Sequence, residues 1–403
     1  MGKVVKLEPS AQIKRDKTAL VLGGGGFTGG VYEIGALRAL DLLAPGMSVN
    51  DFDLYVGTSA GSFIAALCAN EVSPEEMMRA VTRESDQPFR EINLQDLLRL
   101  NLFELARRGV MLPAHVLSLG RRIMLQRGQT SLMDLVIGLA EALPPGLYNG
   151  AGLERYLRRV LADREVPDDF RTCKHELYVT ATDLDTCERV VFGQPGYDEV
   201  PISTAVRAST ALPMVYAPVR IGDREYVDGG IVSTTNLDVA IEAGAKLVIV
   251  INPIVPYRND FSEKVRTISG VRARRISDMG FPKVGYQAFK MLAHRRLHGM
   301  AEQWQERFPG VDIVLIEPQE NDRLMFETSI MNFTSRVEIA RHGFESVARH
   351  LSGEYETYRE VFERHGIEIS PERVRRVIGR FEEETEAEGR WRSILGVAAG
   401  MLH

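Results

Sequence analysis

Between residues 18 and 69 two short apolar runs, Thr18–Leu22 and Phe52–Val56, each end in a glycine-punctuated stretch and give way to a helical pattern. Runs of this length with β-branched members read as strands. The intervening Val31–Leu43 segment puts Ile34, Leu37 and Leu40 on one stripe and reads as a helix opening near Gly29. Strand, helix and strand at this spacing form a βαβ unit, whose crossover sets the two strands parallel in one sheet. The predicted fold class is therefore α/β: a mainly parallel central sheet flanked by helices in three layers.

The alternation continues with interruptions. Ser73-Pro74-Glu75-Glu76 combines an N-cap serine, a proline at the first helical position and a glutamate three residues after the cap, so a helix starts there. Residues 84–165 carry helical patterns, including 94–105 and 132–143, broken at Pro113 and Pro144-Pro145, and read as a helical insertion. Strands are expected at Glu176–Thr182 and Val190–Phe192 around an Asp185-Thr186 turn, and a hairpin at Val219–Ile221 and Arg224–Val227 around Gly222-Asp223. A helix capped by Asn236 and stopped by Gly244 then feeds a strand at Lys246–Ile251. Residues 330–390 are again helical, with a second start at Ser370-Pro371-Glu372. The organisation expected is an arm over 1–17, a core domain over 18–330, and a C-terminal helical extension over 331–403, without internal repeats.

Composition removes several classes of function. A chain of 403 residues with 44% hydrophobic content can bury a substantial core, and its formal net charge of -6 gives no reason to expect nucleic acid as a partner. Cys68, Cys173 and Cys187 are odd in number and too widely spaced for a CxxC site, so they read as buried small apolar residues in a reducing, cytoplasmic setting. The first residues lack the apolar core of a signal peptide, and Lys6 stands where a myristoylation motif wants Ser or Thr. The longest apolar run, Lys246–Ile251, is far short of the ~20 residues of a spanning helix. Contact with a membrane would be peripheral. The candidate for it is Arg258–Arg296, where ten Lys or Arg face three Asp or Glu and Phe261, Phe281, Tyr286, Phe289 and Met291 are interleaved. A solvated basic helix pair packed by its own aromatics is the competing reading.

Gly57-Thr58-Ser59-Ala60-Gly61 sits where the second strand meets a helix, the setting of a nucleophile elbow. A serine at such an apex brings strand and helix together two residues to either side, where Gly57 and Gly61 have no side chains to clash. The helix that follows aims its amides at the reacting oxygen. Upstream, Gly23–Gly26 ends the first strand and opens the helix from Gly29, so several N–H groups can converge on an anion. Gly24 to Gly29 also satisfies G-x-G-x-x-G, but a dinucleotide site wants an acidic residue at the end of the second strand, where the elbow stands instead. Asp228, followed by Gly229 and Gly230, is the candidate base. Neither a cofactor nor a metal is called for: the sequence holds no EF-hand, HExxH or Cys/His cluster.

Glycine loop, GxSxG elbow and DGG, in this order, resemble the patatin-like phospholipase family. The likeness extends to Val21–Gly30, Asp53–Ala65, Ala205–Pro213 with Ala217-Pro218, and Asp228–Asn252, and covers about 18–82 and 175–252. By this resemblance Ser59 is the nucleophile, Asp228 activates it without a histidine, and Gly24, Gly25 and Gly26 supply oxyanion amides. It implies a lipid or acyl-ester substrate of the phospholipase A or lysophospholipase kind. Two positions depart from the family: Thr28 stands where Arg or Lys is common, and Leu237 follows Asn236 where proline is often near. A Ser-Asp-His triad acting on soluble esters or thioesters stays open, because His294, His298, His342, His350, His365 and His403 follow Asp228. So does a non-catalytic nucleotide- or lipid-binding module. Asp183 and Asp185 read as turn residues.

Overall fold

The computed structural model describes residues 16–82 and 143–376, apart from 45–46, 262–263, 267–271, 302 and 329–333, together with positions 101, 106–107, 117–118 and 121. The helical stretches expected at 94–105 and 132–143 lie outside the described residues except for Asn101 and Leu143. The elements run β1 (Thr18–Leu22), α1 (Gly26–Leu43), β2 (Leu54–Thr58), α2 (Ala60–Ala69), α3 (Pro74–Thr82), β3 (Gly146–Tyr148), α4 (Ala151–Asp163), β4 (Glu176–Asp183), β5 (Arg189–Phe192) and α5 (Ile202–Ser209). Then come β6 (Met214–Tyr216), β7 (Val219–Ile221), β8 (Arg224–Asp228), α6 (Leu237–Glu242), β9 (Leu247–Ile251), β10 (Val265–Arg266) and β11 (Arg272–Ala273). The last are α7 (Phe281–Ala301), α8 (Trp304–Arg307), β12 (Asp312–Ile316), α9 (Arg323–Glu327), α10 (Arg336–Gly353) and α11 (Tyr355–Arg364).

The main sheet has the order β12-β9-β1-β2-β4-β8-β7, with β5 also on β4. β12, β9, β1, β2 and β4 are parallel, and the β7–β8 hairpin closes the sheet antiparallel. Strand periodicity sorts the core into two clusters. Leu20, Leu22, Tyr55, Ile249 and Ile316 face one, shared with α1, α2 and α10. Ala19, Val21, Leu54, Val56 and Val248 face the other, shared with α6 and Leu297 of α7. Both faces are covered, which is why these strands read as continuous apolar runs rather than alternating ones. The mixed α/β fold with flanking helices is thus the one expected.

Local signals explain several boundaries. At α3 the Glu76 amide donates to Ser73 Oγ at 3.2 Å and the Ser73 amide to Glu76 Oε2 at 2.9 Å, the reciprocal capping box its sequence implied. Helix α1 starts at Gly26 rather than Gly29, and β2 runs two residues later than expected, to Thr58. Asn236 is a correction. It occupies the N-cap position of α6 with φ 49°, but its side chain makes no cap bond and is used elsewhere. The cysteines also divide: Cys68 is buried, Cys173 half-buried, and Cys187 exposed, so only Cys68 is the buried apolar residue foreseen for all three. Among the described residues no helix is long and apolar enough to cross a membrane.

Residues 336–353 are built into the principal core. Ile339, Ala340, Phe344, Val347 and Leu351 of α10 belong to the cluster under α1. The helices touch backbone to backbone: a Cβ on Gly35 would fall 1.8 Å from the Ala340 carbonyl oxygen, and one on Gly343 would fall 2.0 Å from that of Tyr32. Gly343→Ala should therefore cost about 3 kcal/mol through forced separation of α1 and α10. Urea denaturation checks this, and a loss below about 0.5 kcal/mol, the range of neutral surface changes, would contradict the crossing.

Candidate active site

The sheet brings the site together through one shared edge. β2 pairs with β4 up to Thr58↔Thr180, and β8 takes over the same edge at Ala181↔Asp228, because β5 occupies the opposite edge across residues 179–182. β2 runs parallel to β4 and β8 antiparallel, so the two strands meet end to end. The residue after Thr58 is Ser59, and the last residue of β8 is Asp228.

Ser59 has φ 54° and ψ -125°, a sparsely populated conformation for a residue with a side chain. The close approach of strand and helix is visible on both sides of it. A Cβ on Gly57 would lie 2.3 Å from Ser62 Cα, and one on Gly61 would lie 2.4 Å from the carbonyl oxygens of Leu22 and Gly23. The Ser59 amide donates to Ser209 Oγ at 2.9 Å, and Ser62 Oγ donates to the Ser59 carbonyl at 2.6 Å. Ser59 Oγ donates to Asp228 Oδ2 at 2.6 Å, while the Gly230 amide donates to Oδ1 at 2.8 Å. Gly229 lets the chain leave past β4, since a Cβ there would fall 2.4 Å from the Thr180 carbonyl oxygen. Asp228 is only 2% exposed, and burial raises its pKa to about 6 against the opposing pull of the Ser59 and Gly230 hydrogen bonds.

The glycine loop lies over the serine: a Cβ on Gly24 would be 3.3 Å from Ser59 Cβ. Backbone bonds anchor it, from Gly23 N–H to the Ile251 carbonyl (3.0 Å), Gly24 N–H to the Thr234 carbonyl (3.0 Å) and Gly61 N–H to the Gly23 carbonyl (3.1 Å). This corrects one expectation, because the Gly24 amide is spent on Thr234 and is not aimed at a ligand. The donors left in the loop are the amides of Gly25, the N-cap of α1, and Gly26, its first residue. Gly29 supports the turn by donating to the Gly25 carbonyl at 3.0 Å. Thr28, at the position of the absent family cation, is buried.

Asn236 underpins the elbow. The two N–H groups of its Nδ2 are shared among Thr58 Oγ1 (2.9 Å), Thr180 Oγ1 (3.1 Å) and the Ser233 carbonyl (2.6 Å), and its Oδ1 accepts from Arg189 Nη1 (3.1 Å). Asn236 thereby ties together β2, β4 and the chain just after Asp228. Neither Ser209 nor Asn236 carries a spacing that sequence reading could have recognised as part of a site. The three acceptors around Asn236 Nδ2 come from three separate parts of the chain.

Ser59 and Asp228 open into a mainly apolar cavity whose walls include Phe27, Phe63, Leu153 and Leu212, with Tyr286 and Phe289 supplied by α7. The basic aromatic segment thus gives two of its aromatics to the site. No histidine lines this cavity among the described residues. His342 bonds Asp322, His365 bonds Asp312 at 2.9 Å, and His350 packs on Tyr358. His403 lies outside the described residues. His294, His298 and Glu317 come together elsewhere, a cluster sequence reading did not find because Glu317 is distant along the chain. Asp183 behaves as the turn residue expected, accepting from the Asp185 and Thr186 amides at 3.0 Å and from Arg224 at 2.8 Å.

The family model described as patatin-like phospholipase matches residues 20–241. A curated relative, "Probable lipid hydrolase 463L" of Invertebrate iridescent virus 6, is 21% identical over 229 residues, which are 55% of this chain and 63% of that protein. The match thus spans less than two thirds of the relative's length. Among solved structures, VipD from Legionella pneumophila aligns over 88% of this chain and 72% of its own at 14% identity and a TM-score of 0.38. ExoU of Pseudomonas aeruginosa, solved with SpcU, aligns over 84% of this chain and 53% of its own at 17% identity and a TM-score of 0.33.

Asn236→Ala would remove the amide donor shared by two buried threonine hydroxyls and the Ser233 carbonyl, and leave the hydroxyls bonded chiefly to each other. A loss of about 3 kcal/mol in denaturant unfolding is expected. Unchanged stability would show that the network does not hold Thr58 and Thr180 in place.

Proposed function

The chain belongs to the patatin-like phospholipase family, and from that premise we propose that it is a serine acyl hydrolase cleaving fatty-acyl esters of lipids through a Ser59–Asp228 dyad. The observation that carries this reading is the direct 2.6 Å bond from Ser59 Oγ to a buried carboxylate at the wall of an apolar cavity. Nothing stands between hydroxyl and base, so an imidazole relay has no place in the bond.

Asp228 takes the Ser59 proton as Oγ attacks the ester carbonyl. The tetrahedral oxyanion accepts hydrogen bonds from the Gly25 and Gly26 amides, at the positive end of α1. Collapse breaks the ester C–O bond, and the departing alcohol receives the proton from Asp228. A water molecule then gives its proton to Asp228 and attacks the acyl-serine; the bond from Oγ to the acyl carbon breaks, Asp228 returns the proton to Ser59 Oγ, and the fatty acid is released. The raised pKa suits both duties, since a carboxyl near 6 is ionised at neutral pH yet binds a proton more firmly than an ordinary aspartate.

The apolar walls favour an acyl chain over a charged ligand, and the curated relative's name points to lipid. The approach to the cavity supports peripheral contact with an anionic membrane. Ile231 is a wall residue that is also half exposed, and α7 carries Phe281, Met291 and Leu292 on its exposed side beside Arg295 and Arg296. Apolar side chains amid surplus cations match a negatively charged lipid surface. Binding to vesicles containing phosphatidylserine should weaken as salt rises and be lost on neutral vesicles; indifference to both would remove the membrane contact while leaving the hydrolase reading intact.

A fluorophosphonate probe should label the protein but not Ser59→Ala, and absence of Ser59-dependent labelling would overturn the function. For kcat/KM the active form is the Asp228 carboxylate, so the rate should drop tenfold per pH unit below about pH 6. Stability has the opposite slope. A carboxyl whose pKa rises on folding stabilises most when protonated, and that contribution is lost as pH climbs from the ordinary value of 3.8 through about 6. At pH 8 the ionised group costs on the order of 3 kcal/mol. Asp228→Asn should therefore abolish turnover yet melt no lower than wild type at pH 8; a melting point several degrees lower would contradict the assigned charge state.

A further inference from the structure

Away from the active site, we propose that His294, His298 and Glu317 form a binding site for a divalent transition metal of the zinc class, with Glu320 within reach as a fourth ligand. His294 and His298 are one turn apart on α7 and so project from one face of the helix. Glu317 is the first residue beyond β12. One donor atom from each of the three lies within 4.8 Å of the others. His298 Nε2 is 2.8 Å from Glu317 Oε2, His294 Nε2 is 3.4 Å from Glu320 Oε1, and the imidazole centroids are 4.0 Å apart. Tetrahedral zinc with bonds of 2.0–2.1 Å sets its ligands about 3.4 Å from one another, so side-chain rotation of roughly an ångström completes the site.

The surroundings have the character of a metal site as well. Glu317 Oε1 accepts from Asn252 Nδ2 at 2.5 Å, and Asn252 Oδ1 in turn accepts from the Ile254 amide at 3.2 Å, so the carboxylate is held from behind in the manner of a ligand's outer partner. His294 Nδ1 is buried without a hydrogen-bond partner among the described residues. Two imidazoles and carboxylates suit zinc and its neighbours, whereas calcium and magnesium want oxygen throughout. His298 and Glu320 are partly exposed, which leaves an entry path.

An ion here would act on the cavity wall. It would tie α7, which supplies Tyr286 and Phe289, to the end of β12. Through Glu317 and Asn252 the tie reaches Pro253 and Ile254, whose side chains lie 3.0 Å and 3.4 Å from where Cβ atoms of Gly25 and Gly24 would stand. The site is thus placed to brace the oxyanion loop from outside, without supplying a reacting group.

The test uses the full chain stripped by a chelator and titrated with zinc by calorimetry, and with cobalt(II) followed by its visible absorption. One metal per chain is expected, with a dissociation constant at or below the micromolar range, a higher melting temperature, and no competition from calcium or magnesium. His298→Ala and Glu317→Gln should each weaken binding at least tenfold; the glutamine keeps an acceptor for Asn252, so its metal-free melting point should match wild type. Absence of saturable binding, or binding that both variants retain, would overturn the site. Because metal binding is the readout, neither result depends on the hydrolase activity.

Discussion

The hydrogen bond between Ser59 and Asp228 exists because two strands share one edge of a third. β4 is long enough to pair with β2 along its first half and with β8 along its second. Their opposite directions turn the C-terminal ends toward each other, and the hydroxyl meets the carboxylate where both ladders stop. Sites at the carboxyl ends of sheet strands are general in α/β proteins. Here the antiparallel hairpin contributes a second strand end to the same place, and no flexible loop has to position the base.

Packing around that junction leaves little room for side chains. The glycines at 57, 61 and 229 each mark backbone approaching backbone within distances a Cβ would violate, on the strand, helix and exit sides of the site. The crossing of α1 over α10 works by the same rule at Gly35 and Gly343. It connects the glycine loop to the outer layer, since α1 begins in that loop and is pressed onto the sheet by α10.

The electrostatics oppose the packing. Burying Asp228 raises the free energy of its ionised form, and only two hydrogen bonds offset that cost. Beneath the elbow, by contrast, the buried polar side chains of Asn236, Thr58 and Thr180 bond to one another. Glycine loop anchoring is likewise a matter of backbone bonds to Ile251 and Thr234, which explains how Thr28 can stand without the cation common in the family.

Much of this was legible beforehand because it rests on short-range sterics and periodicity. Five-residue apolar runs, helical stripes, the Ser73–Glu76 capping box and the glycines flanking Ser59 all express constraints acting within a few residues. Those constraints determined the α/β class and marked Ser59 as the apex of a turn, and the order of the three motifs attached Asp228 to it. What required the tertiary structure involves groups far apart in the chain. The Gly24 amide is lost to a carbonyl about two hundred residues away, Asn236 leaves its helix cap for hydroxyls on two other strands, and α7 delivers aromatics to the cavity and imidazoles to Glu317. Local sequence determines which backbone conformations are affordable; which partner satisfies a buried donor or acceptor is decided only when distant strands come into register.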